Sequence, residues 1–317
     1  MKTIYSRTIE KPQGFQFARW SAGAKAFEDF LPAAHRVIHD PLAKYYAGAI
    51  GMKMVAMTRL ISPSLREAIV LRARYFDDQA RQCIAAGCRQ VVLLGAGYDS
   101  RYVRMPEFRG VRVYELDLES TQVIKKTLTR RLFGRLPANV TYVAADLSRD
   151  PMVPRLKNAG FRPHVKTVFI WEGVTLFLNR DIIEETLGVI AALGAGHHVL
   201  FDFVPPDLVA GETGHRGNRQ LLQLCAGIKE PLTFGCLPAD MGKILKNLGY
   251  ADVSVIGLQE ASRIYRGTDQ IENSYCFATA RVGAPDGADG GRGGVAGGGA
   301  APAGWRRRQV SPLLVPA

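Results

Sequence analysis

Five side chains and one turn in this sequence have the types and spacing to hold a small ligand that carries both charges and a sugar. The turn is Gly95-Ala96-Gly97, which follows the apolar run 91–94 and leads into Tyr98-Asp99-Ser100-Arg101. Glycines there permit positive φ and let a ligand approach the backbone closely. A dinucleotide-binding loop would carry a third glycine three residues on; that position is Ser100, so a pyrophosphate is not the expected occupant. The run "YELDLES" ends the next apolar stretch with Glu115 and Asp117. An acidic side chain at that distance from the glycines accepts hydrogen bonds from both ribose hydroxyls and repels a phosphorylated ribose.

Further on, "AADLSRD" offers Asp146 to an adenine amino group and Leu147 to the ring face. In "FIWEGVTLFL", Glu172 emerges from an apolar run, where a carboxylate suits a ligand ammonium group or shapes a reacting pocket. Upstream, "VLRARYFDDQ" supplies Arg72, able to make a bidentate pair with a ligand carboxylate. Arg74 is spaced for a helix-surface pair with Asp77 or Asp78. Each feature also has a plain structural reading: a strand-to-helix turn, a solvated carboxylate, a surface ion pair. Together they describe a ligand with a carboxylate, an ammonium, a ribose diol and an adenine but no diphosphate, and S-adenosylmethionine meets that description.

The chemistry would be displacement of a methyl group by an acceptor. A carboxylate acceptor is ionised at neutral pH and needs no base, whereas a phenol or alcohol does. Of the six histidines, His39, beside the Asp-Pro turn, and His197 and His198, opening an apolar strand, read as structural, and His215, in the long 204–238 segment, is the one candidate base, with the catalytic residue otherwise unassigned. Without a convincing base, the sequence leans towards an acidic small molecule as acceptor. Arg101, Arg216 or Arg219 could capture its carboxylate, and Leu221, Leu222 and Leu224 would suit an apolar molecule or pack a helix.

The elements that must position these residues alternate between β-rich runs (90–94, 111–116, 140–144, 167–171, 198–203, 252–256, 274–279) and helical patterns such as 121–132, 180–193 and 239–248. That alternation predicts an α/β fold: a doubly wound, Rossmann-like seven-stranded sheet, mostly parallel with an antiparallel final strand. Residues 1–84 read as an N-terminal helical cap, with a capping box at Ser64 and Glu67, and 85–282 as the ligand-binding domain. Within it, 204–238 is long for a connection and reads as an inserted lid. The glycine-rich segment 283–317 reads as a disordered tail.

Composition fits a globular chain of 317 residues, 47% hydrophobic and 22% charged. The net charge of +12 invites a nucleic-acid reading, but its densest stretch, 125–135, reads first as a helix with a solvated basic face. A nucleic-acid partner is therefore not expected. Five cysteines without a Cys-x-x-Cys pair suit reduced thiols. Neither an apolar signal segment nor a membrane-length run is present, so a cytoplasmic location without a membrane partner is expected, and no metal site stands out.

Taken in order, "DPLA" (40–43), "RARYFDD" (72–78), "QVVLLGAGYDSRYVR" (90–104), "YELD" (114–117), "ADL" (145–147), "WEGVTLFL" (171–178) and "EPLTFGCLPADMGKILKNLGY" (230–250) resemble the leucine carboxyl methyltransferase family of class I S-adenosylmethionine-dependent methyltransferases. The bacterial branch that includes polyketide carboxyl O-methyltransferases is the most similar. The resemblance spans residues 15–280 and implies cofactor contact by Arg72, the Gly95 turn, Asp117, Asp146, Leu147 and Glu172. "YELDLES" departs from it by lacking the proline usual soon after the aspartate, and "RAR" stands for a common "RTR". Competing readings are a nicotinamide-dependent reductase, a non-catalytic binder of adenosyl ligands, and methyl transfer to a protein C-terminus or a modified RNA base. The reductase reading is disfavoured by the absent third glycine and the absence of an evident Tyr-x-x-x-Lys pair.

Overall fold

The structure is a computed structural model that describes residues 15–61, 63–214, 216–227 and 229–284. The tail reading falls, from residue 285 on, outside the described residues. The apolar runs form the strands β1 (Gln90–Leu94), β2 (Arg112–Asp117), β3 (Val140–Ala144), β4 (Thr167–Trp171), β5 (His198–Phe203), β6 (Tyr250–Gly257) and β7 (Cys276–Val282). They pair in the order β3-β2-β1-β4-β5-β7-β6, with β7 antiparallel to both neighbours and the other pairs parallel. The doubly wound α/β sheet expected from the sequence is therefore present, with its topological switch between β1 and β4, where ligands of such sheets bind.

Helices cover both faces: α1 (Phe15–Phe27), α2 (Ala43–Ile61), α3 (Pro63–Ala85), α4 (Arg101–Arg104), α5 (Glu119–Phe133), α6 (Met152–Asn158), α7 (Arg180–Ala191), α8 (Pro206–Ala210), α9 (Arg216–Gly227), α10 (Pro238–Asn247) and α11 (Leu258–Arg266). Side chains alternate along β1 as a strand requires. Val91 and Leu93 join a core with Ile69 and Phe76 of α3, while Val92 and Leu94 join one with Ile183 of α7 and Met241 of α10.

Three local readings change. The connection 257–273, weakly patterned in sequence, holds α11, whose Arg266 pairs with Glu28 (2.8 Å) and Glu67 (2.9 Å). Glu67 thus ties two helices together, and since α3 begins at Pro63, Ser64 lies inside the helix and not at the N-cap the capping-box reading required. The β6 strand begins two residues earlier than expected because a bulge, with Asp252 at φ +49, shifts its register against β7. The third change concerns the basic stretch. Arg130 and Arg131 are exposed, but Lys125 is buried, its Nζ 2.7 Å from Glu115 Oε1 and 5.4 Å from the centre of the Tyr102 ring. Glu115 is likewise not a strand-tip acceptor; it lies inside β2, beneath α5. Burial pushes its carboxyl up to about 7, with the Lys125 ammonium working against that rise. Neither charge could be buried there without the other.

The α1 and α2 helices cross at contact distance through Gly23 and Gly51. A Cβ on Gly51 would stand 2.5 Å from the Arg19 carbonyl oxygen, and one on Gly23 2.7 Å from the Gly51 oxygen. All five cysteines are buried as free thiols. No helix among the described residues is long and apolar enough to cross a membrane.

Gly51→Ala should lower the unfolding free energy by about 1–3 kcal/mol, the cost of overpacking, measured by urea denaturation. Lys125→Ala should cost about 3–5 kcal/mol, since it strands a buried carboxylate. A loss under ~0.5 kcal/mol, as for an exposed lysine, would refute its burial.

Candidate active site

A cavity of about 500 Å³ opens at the carboxyl ends of β1, β2, β3 and β4, and every residue that the resemblance implies as a cofactor contact lines it: Arg72, Gly95, Ala96, Gly97, Asp117, Asp146, Leu147 and Glu172. The turn after β1 has Gly95 at φ +63 and Gly97 at φ +44. A Cβ on Gly95 would stand 2.5 Å from a Val174 methyl, so glycine is required by both conformation and space. Gly97 N–H donates to Asp117 Oδ2 (2.6 Å) and Leu118 N–H to Asp117 Oδ1 (2.7 Å). These bonds aim the Asp117 carboxylate and leave lone pairs for a ligand diol. Burial raises its pKa, and the same two N–H groups oppose the rise.

The residue in place of a third glycine has its own task. Ser100 is fully buried and its Oγ donates to Asp40 Oδ2 at 2.6 Å. Asp40 Oδ1 accepts the Leu42 N–H that opens α2 (3.1 Å), and Lys25 Nζ stands 3.4 Å from Oδ2. The loop is thereby fastened to the "DPLA" segment. At the tip of β3, Asp146 Oδ1 accepts from Ser148 N–H (2.9 Å) and Oγ (2.6 Å), with Leu147 beside it on the cavity wall.

Between α3 and β4 lies a buried ion cluster. Arg72 donates from Nε to Glu172 Oε1 (3.2 Å) and from Nη1 to Asp202 Oδ2 (2.7 Å). Glu172 Oε2 accepts from Arg101 Nη2 (2.6 Å), and Asp202 Oδ1 accepts the Gly173 N–H (2.6 Å). Burial alone would raise the Glu172 pKa, but the Arg101 and Arg72 guanidiniums, with Lys25, hold it well below the usual carboxylate range. Arg101 also binds Asp77 and Asp99. It is a structural member of the cluster, not a free cation for a substrate carboxylate, because its donors are already committed. Arg74 pairs with Asp78 (3.0 Å) as its spacing predicts, while Asp77 serves Arg101 and Arg104.

Sequence reasoning missed Asp202, Lys25 and Thr233. Asp202 carries the signal that identified Glu172, a carboxylate inside an apolar strand. Lys25 and Thr233, which line the cavity from α1 and from the inserted segment, carry none. Arg219 lines no part of the cavity and donates to the carbonyls of Thr213 (3.1 Å) and Gly214 (2.9 Å). Leu221 packs in the core with Cys225. His215 lies outside the described residues, and among the described residues no histidine lines the cavity.

The Glu172 shift has a pH signature. Its folded pKa lies below the unfolded value of about 4.3, so its stabilisation is complete above that pH and is lost as pH falls towards the folded value. The difference in unfolding free energy between the wild type and Glu172→Gln should therefore shrink between about pH 5 and pH 2; a constant difference would refute the pairing.

The family profile described as "Leucine carboxyl methyltransferase" matches residues 18–191. A protein of Streptomyces avermitilis, provisionally named an S-adenosyl-L-methionine-dependent methyltransferase, is 35% identical over 168 residues, covering 50% of this chain and 58% of that protein. A Mycobacterium tuberculosis protein of like name is 34% identical over 178 residues, covering 51% of this chain and 50% of its own. The chain thus spans little more than half the length of the relatives it matches. Among solved structures, a Thermobifida fusca protein provisionally called a methyltransferase superposes with a TM-score of 0.56 at 14% identity, over 89% of this chain and all of that one. A DUF574-family protein of Streptomyces avermitilis gives 0.55 at 15%, over 82% and 96%. At such identity these two establish a shared fold. The profile covers more than half of the residues, and the chain belongs to the leucine carboxyl methyltransferase family.

Proposed function

We propose that this chain is an S-adenosylmethionine-dependent O-methyltransferase acting on a small-molecule carboxylate or hydroxyl. The observation that carries the reading is convergence: residues chosen for separate parts of one ligand, from five places in the sequence, line a single cavity. The donor set fits the group. Arg72 would take its carboxylate with the N–H groups that Glu172 and Asp202 leave, Glu172 its ammonium, Asp117 the ribose diol, and Asp146 with Leu147 the adenine. S-adenosylmethionine supplies a methyl group on a sulfonium, already activated for displacement. The chain's own residues have to orient the partners and exclude water. Phe17, Val174, Phe177 and Ile182 give the cavity an apolar wall, which suits an acceptor with an apolar body. A carboxylate acceptor arrives ionised at neutral pH and needs no base, which favours it over a phenol.

Calorimetric titration with S-adenosylmethionine, with NADH in parallel, tests the cofactor. The methyl donor should bind and NADH should not, and Asp117→Ala should weaken binding at least tenfold. Transfer of labelled methyl to a panel of apolar carboxylic acids and phenols then tests the acceptor. Acids should be methylated; turnover of phenols alone would reverse that choice, and failure to bind the donor would sink the whole reading.

A further inference from the structure

Glu230 sits in the segment between α9 and α10, 4% exposed, and does something its position in the sequence does not suggest. Its Oε1 accepts the N–H of Gln16 (3.3 Å) and its Oε2 the N–H of Phe17 (3.2 Å), in the first turn of α1, more than 200 residues away. First-turn N–H groups have no partner within their own helix, and a carboxylate there also meets the positive end of the helix dipole.

The α1 helix is one wall of the cavity. Phe17, Ala18, Ser21, Ala22 and Lys25 all face into it. Beside Glu230, Thr233 lines the same cavity and its N–H donates to the Leu176 carbonyl (2.8 Å). The next residue, Phe177, meets the Phe17 ring edge-on at 5.0 Å. The contacts therefore form a closed circuit, from Glu230 to the start of α1, across the two phenyl rings, and back through Leu176 to Thr233. At its other end α1 is anchored separately. Lys25 pairs with Asp40, and Glu28 binds the Val37 N–H (2.8 Å) and Arg266 (2.8 Å).

We propose that Glu230 is a latch, a positioning residue that closes the N-terminal half of α1 over the cavity. Within that half only the first turn, Gln16–Ala18, moves aside for ligand entry and release, because from Arg19 on the helix is held on α2 by the Arg19 carbonyl against Gly51 and by Trp20 Nε1 donating to Thr58 Oγ1 (3.0 Å). The ligand part of this proposal rests on the S-adenosylmethionine reading of the cavity; the latch itself does not.

Hydrogen exchange of the ligand-free full chain, read by mass spectrometry, tests the latch directly. In Glu230→Gln, which keeps one acceptor and removes the charge, amides of residues 16–22 should exchange up to about tenfold faster. Those of α2 and α3 should be unchanged. Release of radiolabelled S-adenosylhomocysteine, followed by dilution into excess unlabelled ligand, should speed up by a similar factor. Unchanged exchange in residues 16–22, acceleration spread equally over α2, or an unchanged release rate would each overturn the latch. Glu230→Ala should show the larger effect. Should it fail to fold, wild type with and without S-adenosylhomocysteine gives the second readout: ligand should protect residues 16–22 more than α2. If S-adenosylhomocysteine does not bind wild type at all, the cofactor reading fails, and the exchange of the ligand-free Gln variant still decides the latch.

Discussion

Placing the Arg72 guanidinium between Glu172 and Asp202 obliges four elements to meet in one arrangement. Arg72 comes from the middle of α3, Asp202 from β5, Glu172 from the end of β4, and Arg101, on the far oxygen of Glu172, from α4. Removing Arg72 would leave Asp202 buried without its cation. The cluster is thus costly to assemble piecemeal and tolerates few alternatives. Two of its members, Arg72 and Glu172, also lie on the cavity wall, so part of what fixes α3 against the sheet is open to a ligand.

The two faces of the sheet have a different character. Behind β1 and β4 the helices pack mainly through aliphatic and aromatic side chains, with Ile183, Leu187, Met241, Val92 and Trp171 in one buried cluster. Polar order concentrates at the carboxyl edge, where strands end and backbone groups need partners. There Asp117 ties β2 to the Gly97 turn, Asp40 ties that turn to α2 through Ser100, and Asp202 ties β5 to the loop after β4. Each carboxylate holds backbone, and Asp117 also faces the cavity. A site built this way is positioned before any ligand enters.

Much of this was legible in the sequence because it is local. The strands announced themselves as apolar runs, and the residues at their tips could be read off in order, since a doubly wound sheet puts successive tips on one edge. What stayed hidden is pairing across long separations. Lys125 on a helix with Arg130 and Arg131 has the spacing of a solvated face; only the Glu115 side chain beneath it makes burial affordable. Arg101 looked available because Asp77, Asp99 and Glu172 do not declare their direction in one dimension. The α11 helix was obscured by a polar connection, and the interhelical role of Glu67 depends on Arg266, a residue nearly two hundred positions away.

The five cysteines give the chain an unplanned chemical property. Burial pushes the thiols of Cys83, Cys225 and Cys276 up to about 12 and that of Cys88 to about 11, and raises Cys236 as well. Oxidants and alkylating reagents act on thiolates, so the folded chain offers them almost no target. The unfolded chain offers five ordinary cysteines. Sulfur modification then becomes a record of how often the chain has opened, with Cys83 and Cys88 recording the junction of α3 and β1, Cys225 recording α9, and Cys276 recording the antiparallel edge of the sheet.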